Sequence, residues 1–194
     1  MDRLLREGKT TGTDQSNSKV GFISLNRRRM DRLSRTIELV RPVKDAARRF
    51  DRKMIWLVIT EGWCGDAARN IPIVEKIAMK RVNIETRYIL RDENPELMDQ
   101  FLTDGARSVP RLIALDAATC KVLGTWGSRP VAAQQLFREL QRRGVAKALI
   151  MENIQCWYSQ DKGRSLQAEF TGLLNEWSKG VRKVQRSARI DRSV

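Results

Sequence analysis

The run MIWLVIT at residues 54–60 is the feature that most restricts how this chain folds. Its β-branched and aromatic side chains, in a stretch too short for a typical helix, indicate a strand that is buried on both faces. A helical pattern follows over about residues 66–80, and the alternation of side chains predicts a second strand at 82–90. Because a helix joins the two strands, they should be parallel with a right-handed crossover, which places the chain in the α/β class.

Apolar spacing divides the rest of the chain into helices and one hairpin. A helical pattern over residues 28–50 breaks at Pro42, which fits either two helices or one kinked helix. The other predicted elements are a helix over 95–105, a hairpin made by RLIALD and CKVLGTW, and helices over 130–143, 146–160 and 164–178. The predicted organisation is an irregular arm at 1–26, a domain at 27–145, a helical extension at 146–180 and a basic flexible tail at 181–194.

The composition excludes several kinds of chemistry. The chain has no histidine, so Ser-His-Asp catalysis, Cys-His catalysis and histidine-ligated metals are excluded, and no metal or cofactor is predicted. Cys64, Cys120 and Cys156 fit neither a disulfide framework nor a zinc site, so reduced thiols in the cytoplasm are expected. No apolar stretch is long enough for a membrane span, and the first residues lack a secretory signal pattern. The formal net charge of +14 predicts attraction to phosphate, anionic lipid or acidic proteins.

Cys64 lies at the predicted turn between the first strand and the following helix. A thiol at a helix N-terminus faces unpaired N–H groups and the positive end of the helix dipole, which favour the thiolate, so Cys64 is a candidate nucleophile near neutral pH. Asp66 acts in the opposite direction, because its charge would repel a neighbouring thiolate. A small buried cysteine without chemistry remains the alternative.

The same stretch resembles the thioredoxin superfamily. The resemblance rests on WCGDA at 63–67, on GARSVP at 105–110 and on the hairpin at 111–127, and it covers about residues 50–143. It implies a three-layer α/β/α fold with a mixed central sheet, here with helical extensions at both ends, and a cis Val109–Pro110 bond beside Cys64. The substrate-binding residues that it implies are Trp63, Gly65, Asp66, Val109 and Pro110. Further similarity, in GWCGDA, RDEN and LGTWGSRP, is to a bacterial branch with a single active-site cysteine.

Two positions depart from the family pattern. Ala67 replaces the second cysteine, so an intramolecular disulfide cannot form at this site. Val58 replaces the buried acid six residues before Cys64, which in the family serves the second thiol. Cys120 and Cys156 are weak candidates for a resolving thiol, while Arg107, Arg111 and Arg129 are candidates for attracting an anionic partner such as glutathione.

Three functions fit the sequence. The first is monothiol exchange by Cys64 on mixed disulfides or glutathionylated proteins, with glutathione as a co-substrate. The second is a catalytically silent binding module for extended peptides or acidic partners. The third, ranked last, is non-specific nucleic-acid contact through the arginine-rich helix and the basic tail.

Overall fold

The apolar run from residue 54 forms the central strand of the protein, as a computed structural model covering residues 2–80 and 83–179 shows. The elements in chain order are α1 Asp2–Arg6, α2 Asn17–Thr36, α3 Arg41–Arg49, β1 Met54–Thr60, α4 Gly65–Ala78, β2 Ile84–Leu90, α5 Pro95–Asp99, β3 Arg111–Asp116, β4 Val122–Gly127, α6 Val131–Arg142, α7 Lys147–Asp161 and α8 Arg164–Ser178. The basic tail predicted for 181–194 lies outside the described residues.

The four strands form one mixed sheet in the order β2-β1-β3-β4. β1 pairs with β2 in parallel and with β3 antiparallel, so that Met54 lies opposite both Ile84 and Asp116. β3 and β4 form the antiparallel hairpin that the sequence predicts. Consecutive residues of β1 and β3 are buried, and because consecutive side chains point to opposite faces, both faces of the sheet are covered. This is the α/β architecture that was expected.

The C-terminal helices contribute to the core of the domain. Trp56 of β1 packs edge-on against Phe170 and Trp177 of α8, with ring centroids 5.4 and 6.1 Å apart. α8 also packs against α3, and α7 packs against α6 through a smaller apolar cluster that includes Ile154 and Tyr158. None of the described helices is both long enough and apolar enough to cross a bilayer.

The N-terminal arm differs from the irregular segment expected at 1–26. α1 is helical, and α2 begins at Asn17, ten residues before the predicted domain. The helix extends this far because Ile23 and Asn26 are fully buried, continuing the spacing of Met30 and Leu33 towards the N-terminus. The helical spacing of α2 was not recognised at its start because residues 7–19 are mostly polar.

A proline and two residues with left-handed backbone conformation explain two further helix boundaries. Pro42 occupies the first turn of α3, so residues 28–50 form two helices separated by an extended segment. The helix beginning at Pro95 ends at Asp99 and does not reach Gly105. Asp104 and Gly105 both have positive φ, of 53° and 74°, which cannot continue a right-handed helix.

Candidate functional site

Cys64 caps the N-terminus of α4 from the end of the β1–α4 turn. The Ala67 N–H donates to Sγ at 3.4 Å, and the Cys64 thiol donates to the carbonyl oxygen of Val109 at 3.2 Å. The Val109–Pro110 peptide bond is cis. The structure therefore brings together WCGDA and the proline segment that the sequence marked separately. Cys64 is only 6% exposed, and Val109 and Asp66 are buried beside it.

The protonated thiol is the favoured state of Cys64 in this conformation. Burial, and after it the charge of Asp66, raises the pKa of Cys64 to about 12. The N–H groups of Ala67 and Asp66 and the charge of Arg129 act in the opposite direction but are outweighed. The N–H groups at the helix terminus lower the pKa of Cys64, as expected, but in this conformation desolvation of the charged form exceeds their effect.

Asp66 is held by a buried ion pair that the sequence did not reveal. Arg129 Nη2 lies 2.8 Å from Asp66 Oδ2, and the two side chains are 10% and 5% exposed. Burial raises the pKa of Asp66, while Arg129 and the Tyr158 hydroxyl lower it. The guanidinium also stacks over Phe137, 4.2 Å from the ring centroid. The charge of Arg129 is thus already compensated inside the site.

Tyr158 and Asn70 complete this network from α7 and α4. The Asn70 amide donates to the Tyr158 hydroxyl at 2.9 Å and to the Asp66 carbonyl oxygen at 2.9 Å. Burial, followed by the charge of Asp66, raises the pKa of Tyr158. Sequence reasoning treated α7 only as a helical addition and missed both residues. One signal of this network is present in the sequence. Asn70 lies one turn after Asp66 on the apolar face of α4, and a buried asparagine needs hydrogen-bond partners.

The other predicted arginines have different partners. Arg111 donates to the Gly127 carbonyl oxygen at 2.8 Å and to Thr125 Oγ1 at 2.9 Å, which ties β3 to β4 next to Pro110. Arg107 instead pairs with Asp99 at 2.6 Å on the exposed surface. Of the three arginines expected around the site, only Arg129 contacts the first turn of α4.

The N-terminal arm covers the loop that precedes Cys64. Thr11 Oγ1 accepts from the Gly62 N–H at 2.8 Å, and the Asn26 amide donates to the Gly62 carbonyl oxygen at 3.1 Å. Lys19 Nζ lies 3.3 Å from the Trp63 ring centroid. Gly12, with a φ of +80°, fits against Asp92 and Trp63, where a Cβ would collide with the Asp92 carboxylate. Trp63, which the resemblance implies as a substrate-binding residue, is therefore partly covered by the arm.

The remaining thiols form no disulfide with Cys64. All three cysteines are free: Cys120 is half-buried at the β3–β4 turn, and Cys156 is exposed on α7. In the part of the chain that the structure describes, no group of three or more acidic or cysteine side chains could hold a metal ion. Cys64 is the buried member of the three cysteines.

A comparison with family profiles identifies the family of this chain. Residues 13–142 match the profile described as Thioredoxin. The chain belongs to the thioredoxin family. A comparison with curated proteins finds no match.

Two solved structures share the thioredoxin fold of this chain. A protein of unknown function from Pseudomonas aeruginosa, PA1234, is 18% identical, with a TM-score of 0.56 over 90% of each chain. An HIV epitope-scaffold is 17% identical, with a TM-score of 0.55 over 90% of this chain and 96% of the other. At this level of identity the similarity shows the fold alone.

Proposed function

We propose that this thioredoxin-family protein is a binding module for extended acidic segments, in which Cys64 is a structural thiol. The observation that carries the proposal is the state of Cys64, which is 6% exposed with a pKa of about 12. Such a thiol is protonated at neutral pH, and because the thiolate is the nucleophile, its exchange with disulfides would be slow. Ala67 and Val58 remove the two accessory groups of the usual reductase cycle.

The edge of the sheet is the proposed site of peptide recognition. β4 is an edge strand, and an extended segment can add to such an edge through backbone hydrogen bonds. Beside it, a cleft of about 410 Å³ opens between β4 and α8, with Arg111 and Trp126 on one wall. Glu169 and Glu176 line the α8 wall. Acidic side chains of the segment would therefore lie towards Arg111, and the net charge of +14 would favour their approach.

The test is a titration of the full chain with two labelled peptides, one rich in Asp and Glu and one rich in Lys. We expect the acidic peptide to bind, to bind more weakly as salt increases, and to bind equally well to Cys64→Ser. Glu176→Lys should tighten acidic-peptide binding, because it removes a negative charge from the cleft. Glu152→Lys, an equal charge reversal at an exposed position of α7, is the control. The proposal would be contradicted if Glu176→Lys and Glu152→Lys increased the affinity for the acidic peptide equally. It would also be contradicted if the acidic and the lysine-rich peptide bound equally well.

A second candidate function is monothiol exchange. It is favoured by the position of Sγ, which accepts the Ala67 N–H beside the cis Val109–Pro110 bond. The Cys64 thiolate would attack a glutathionylated protein, forming a Cys64–glutathione disulfide and releasing the protein thiol. A second glutathione would then regenerate Cys64 and leave as glutathione disulfide. The residues expected to contact the substrate are Trp63, Gly65, Asp66, Val109 and Pro110.

This candidate requires the arm over Gly62 and Trp63 to open, because Cys64 is buried in the closed conformation. Release of glutathione from a glutathionylated protein, abolished in Cys64→Ser, would establish it. Equal release by the wild type and Cys64→Ser would contradict it. Under either function we expect the protein to work in the reducing cytoplasm, where its free thiols persist.

A further inference from the structure

Three arginines converge where α2 packs against the first turns of α4. Arg29 and Arg32 lie one turn apart on α2, and Arg69 lies one turn after Gly65 on α4. Arg29 Nη1 lies 4.0 Å from the position that a Cβ on Gly65 would occupy, and the Gln155 amide nitrogen lies 3.4 Å from it. Arg29 and Gln155 therefore approach the α4 backbone at Gly65, where no side chain separates them from it.

Neutral side chains hold two of these arginines in place. Arg29 Nη1 donates to Asn26 Oδ1 at 3.3 Å. Arg69 Nε donates to Gln155 Oε1 at 3.0 Å, and its Nη2 donates to Ser159 Oγ at 3.4 Å. A guanidinium carries five N–H donors, so most donors of both side chains are not used by these contacts. The groups are positioned, yet they retain their charge and their capacity to bind an anion.

None of the three arginines forms an ion pair with an acidic side chain within residues 2–80 and 83–179. The neighbouring acids Asp31 and Asp66 pair with Arg27 and Arg129. Burial, followed by the charges of Arg29 and Arg32, lowers the pKa of Arg69. Burial and Arg32 likewise lower the pKa of Arg29. These like charges repel one another, and a bound anion would relieve the repulsion.

We propose that Arg29, Arg32 and Arg69 form a binding site for a phosphoryl group, the terminal group of a phosphate monoester. A carboxylate would supply one negative charge and two oxygens. A phosphoryl group supplies nearly two charges and three acceptor oxygens, which matches three guanidinium groups more closely. The site goes beyond the proposed peptide binding at β4, and it does not depend on the chemistry of Cys64.

The test is calorimetric titration of the full chain with inorganic phosphate, with sodium chloride at matched ionic strength as the blank. Arg69→Gln and Arg29→Gln should each weaken phosphate binding about 10-fold or more, because each removes a charged hydrogen-bond donor. Arg32→Gln, at an exposed position, should also weaken binding, and it provides a variant with little risk to folding. Arg142→Gln, which removes the same charge from an exposed position of α6, should leave binding unchanged.

A second arm distinguishes the sources of the phosphoryl group. Tighter binding of a phosphoserine peptide than of phosphate, with no binding of the serine peptide, would assign the group to a phosphorylated protein. Tighter binding of free phosphate would assign it to a small molecule, and both results support the site. The site would be overturned if Arg142→Gln weakened phosphate binding as much as the Arg29, Arg32 and Arg69 variants do. It would also be overturned if titration with sodium chloride gave the same heat as titration with phosphate. Because Cys64→Ser and the β4 peptides do not enter this experiment, its outcome is independent of the proposed function.

Discussion

Arg129 Nη2 lies 2.8 Å from Asp66 Oδ2, and this buried ion pair joins the first turn of α4 to the segment between β4 and α6. The pair keeps a negative charge close to Cys64 and so helps to maintain the thiol in its protonated form. It also connects the candidate site with α7, because the Tyr158 hydroxyl interacts with the same carboxylate. The state of the thiol is thus coupled to the packing of the C-terminal helices.

Removal of Arg129 should destabilise the fold strongly. Arg129→Gln leaves the Asp66 carboxylate buried without its cation, and losses of about 3–5 kcal/mol in the free energy of unfolding are typical of such changes. Urea denaturation at neutral pH measures the effect. The double variant Asp66→Asn with Arg129→Gln should lose less than the sum of the two single variants. Additive losses, or a loss below about 1 kcal/mol for Arg129→Gln, would show that the pair is not coupled.

Removal of the Asp66 charge should lower the pKa of Cys64. Asp66 is the second largest cause that raises this pKa, and in Asp66→Asn the uncompensated Arg129 would favour the thiolate as well. Burial, the largest cause, persists, so the pKa should remain above its ordinary value. Alkylation rates measured against pH would report the change, and Asp99→Asn at the surface is the control. An unchanged midpoint in Asp66→Asn would exclude Asp66 as a cause.

The N-terminal arm should control access to Cys64. Thr11→Val removes the acceptor of the Gly62 N–H, and Gln15→Ala removes the side chain that bonds the backbone of Thr10 and Gly12. Each loss should increase local opening, so the alkylation rate of Cys64 at fixed pH should rise several-fold, by about 2- to 10-fold. Gln160→Ala, at an exposed position of α7, should have no effect. If Thr11→Val and Gln15→Ala react at the wild-type rate, the arm is not the barrier.

Stability should fall in alkaline solution because of Cys64. Its pKa is raised from 9.0 to about 12, so its stabilising contribution is complete below pH 9 and is lost as the pH rises towards 12. The loss should be on the order of 4 kcal/mol. Because Cys64→Ala lacks this titration, its unfolding free energy should decline less than that of the wild type over the same range. In the control Cys120→Ala, the unfolding free energy should decline with pH as it does in the wild type. An equal decline in Cys64→Ala and in the wild type would refute the raised pKa of Cys64.

The elements of the sheet could be predicted because their sequence signals are local. Residues 54–60 carry a continuous apolar run, and the hairpin residues carry two such runs separated by a turn, so no distant partner was needed to recognise them. The start of α2 could not be predicted in this way. Ile23 and Asn26 become buried only because the helix packs on α4 and on the Gly62 loop, which lie far along the chain.

The proximity of Cys64 to the proline segment could be predicted from the sequence, but the protonation state of the thiol could not. Trp63, Cys64 and Pro110 follow a recognisable pattern, and the fold brings the cysteine and the proline segment together. The pKa of Cys64 depends instead on burial by distant segments and on the pairing of Asp66 with Arg129, 63 positions later in the chain. Local sequence contains no information on that desolvation, and therefore the lowering of the pKa by the helix terminus could not be weighed against it.

The most direct test is the pH dependence of Cys64 alkylation in the full chain, with Cys120 and Cys156 replaced by serine so that a single thiol reacts. A buried thiol beside the Asp66 carboxylate should give a midpoint close to 12, with very slow reaction at neutral pH. A midpoint at or below 9.0, the ordinary pKa from which that of Cys64 is raised, would contradict this account and would favour monothiol exchange as the function.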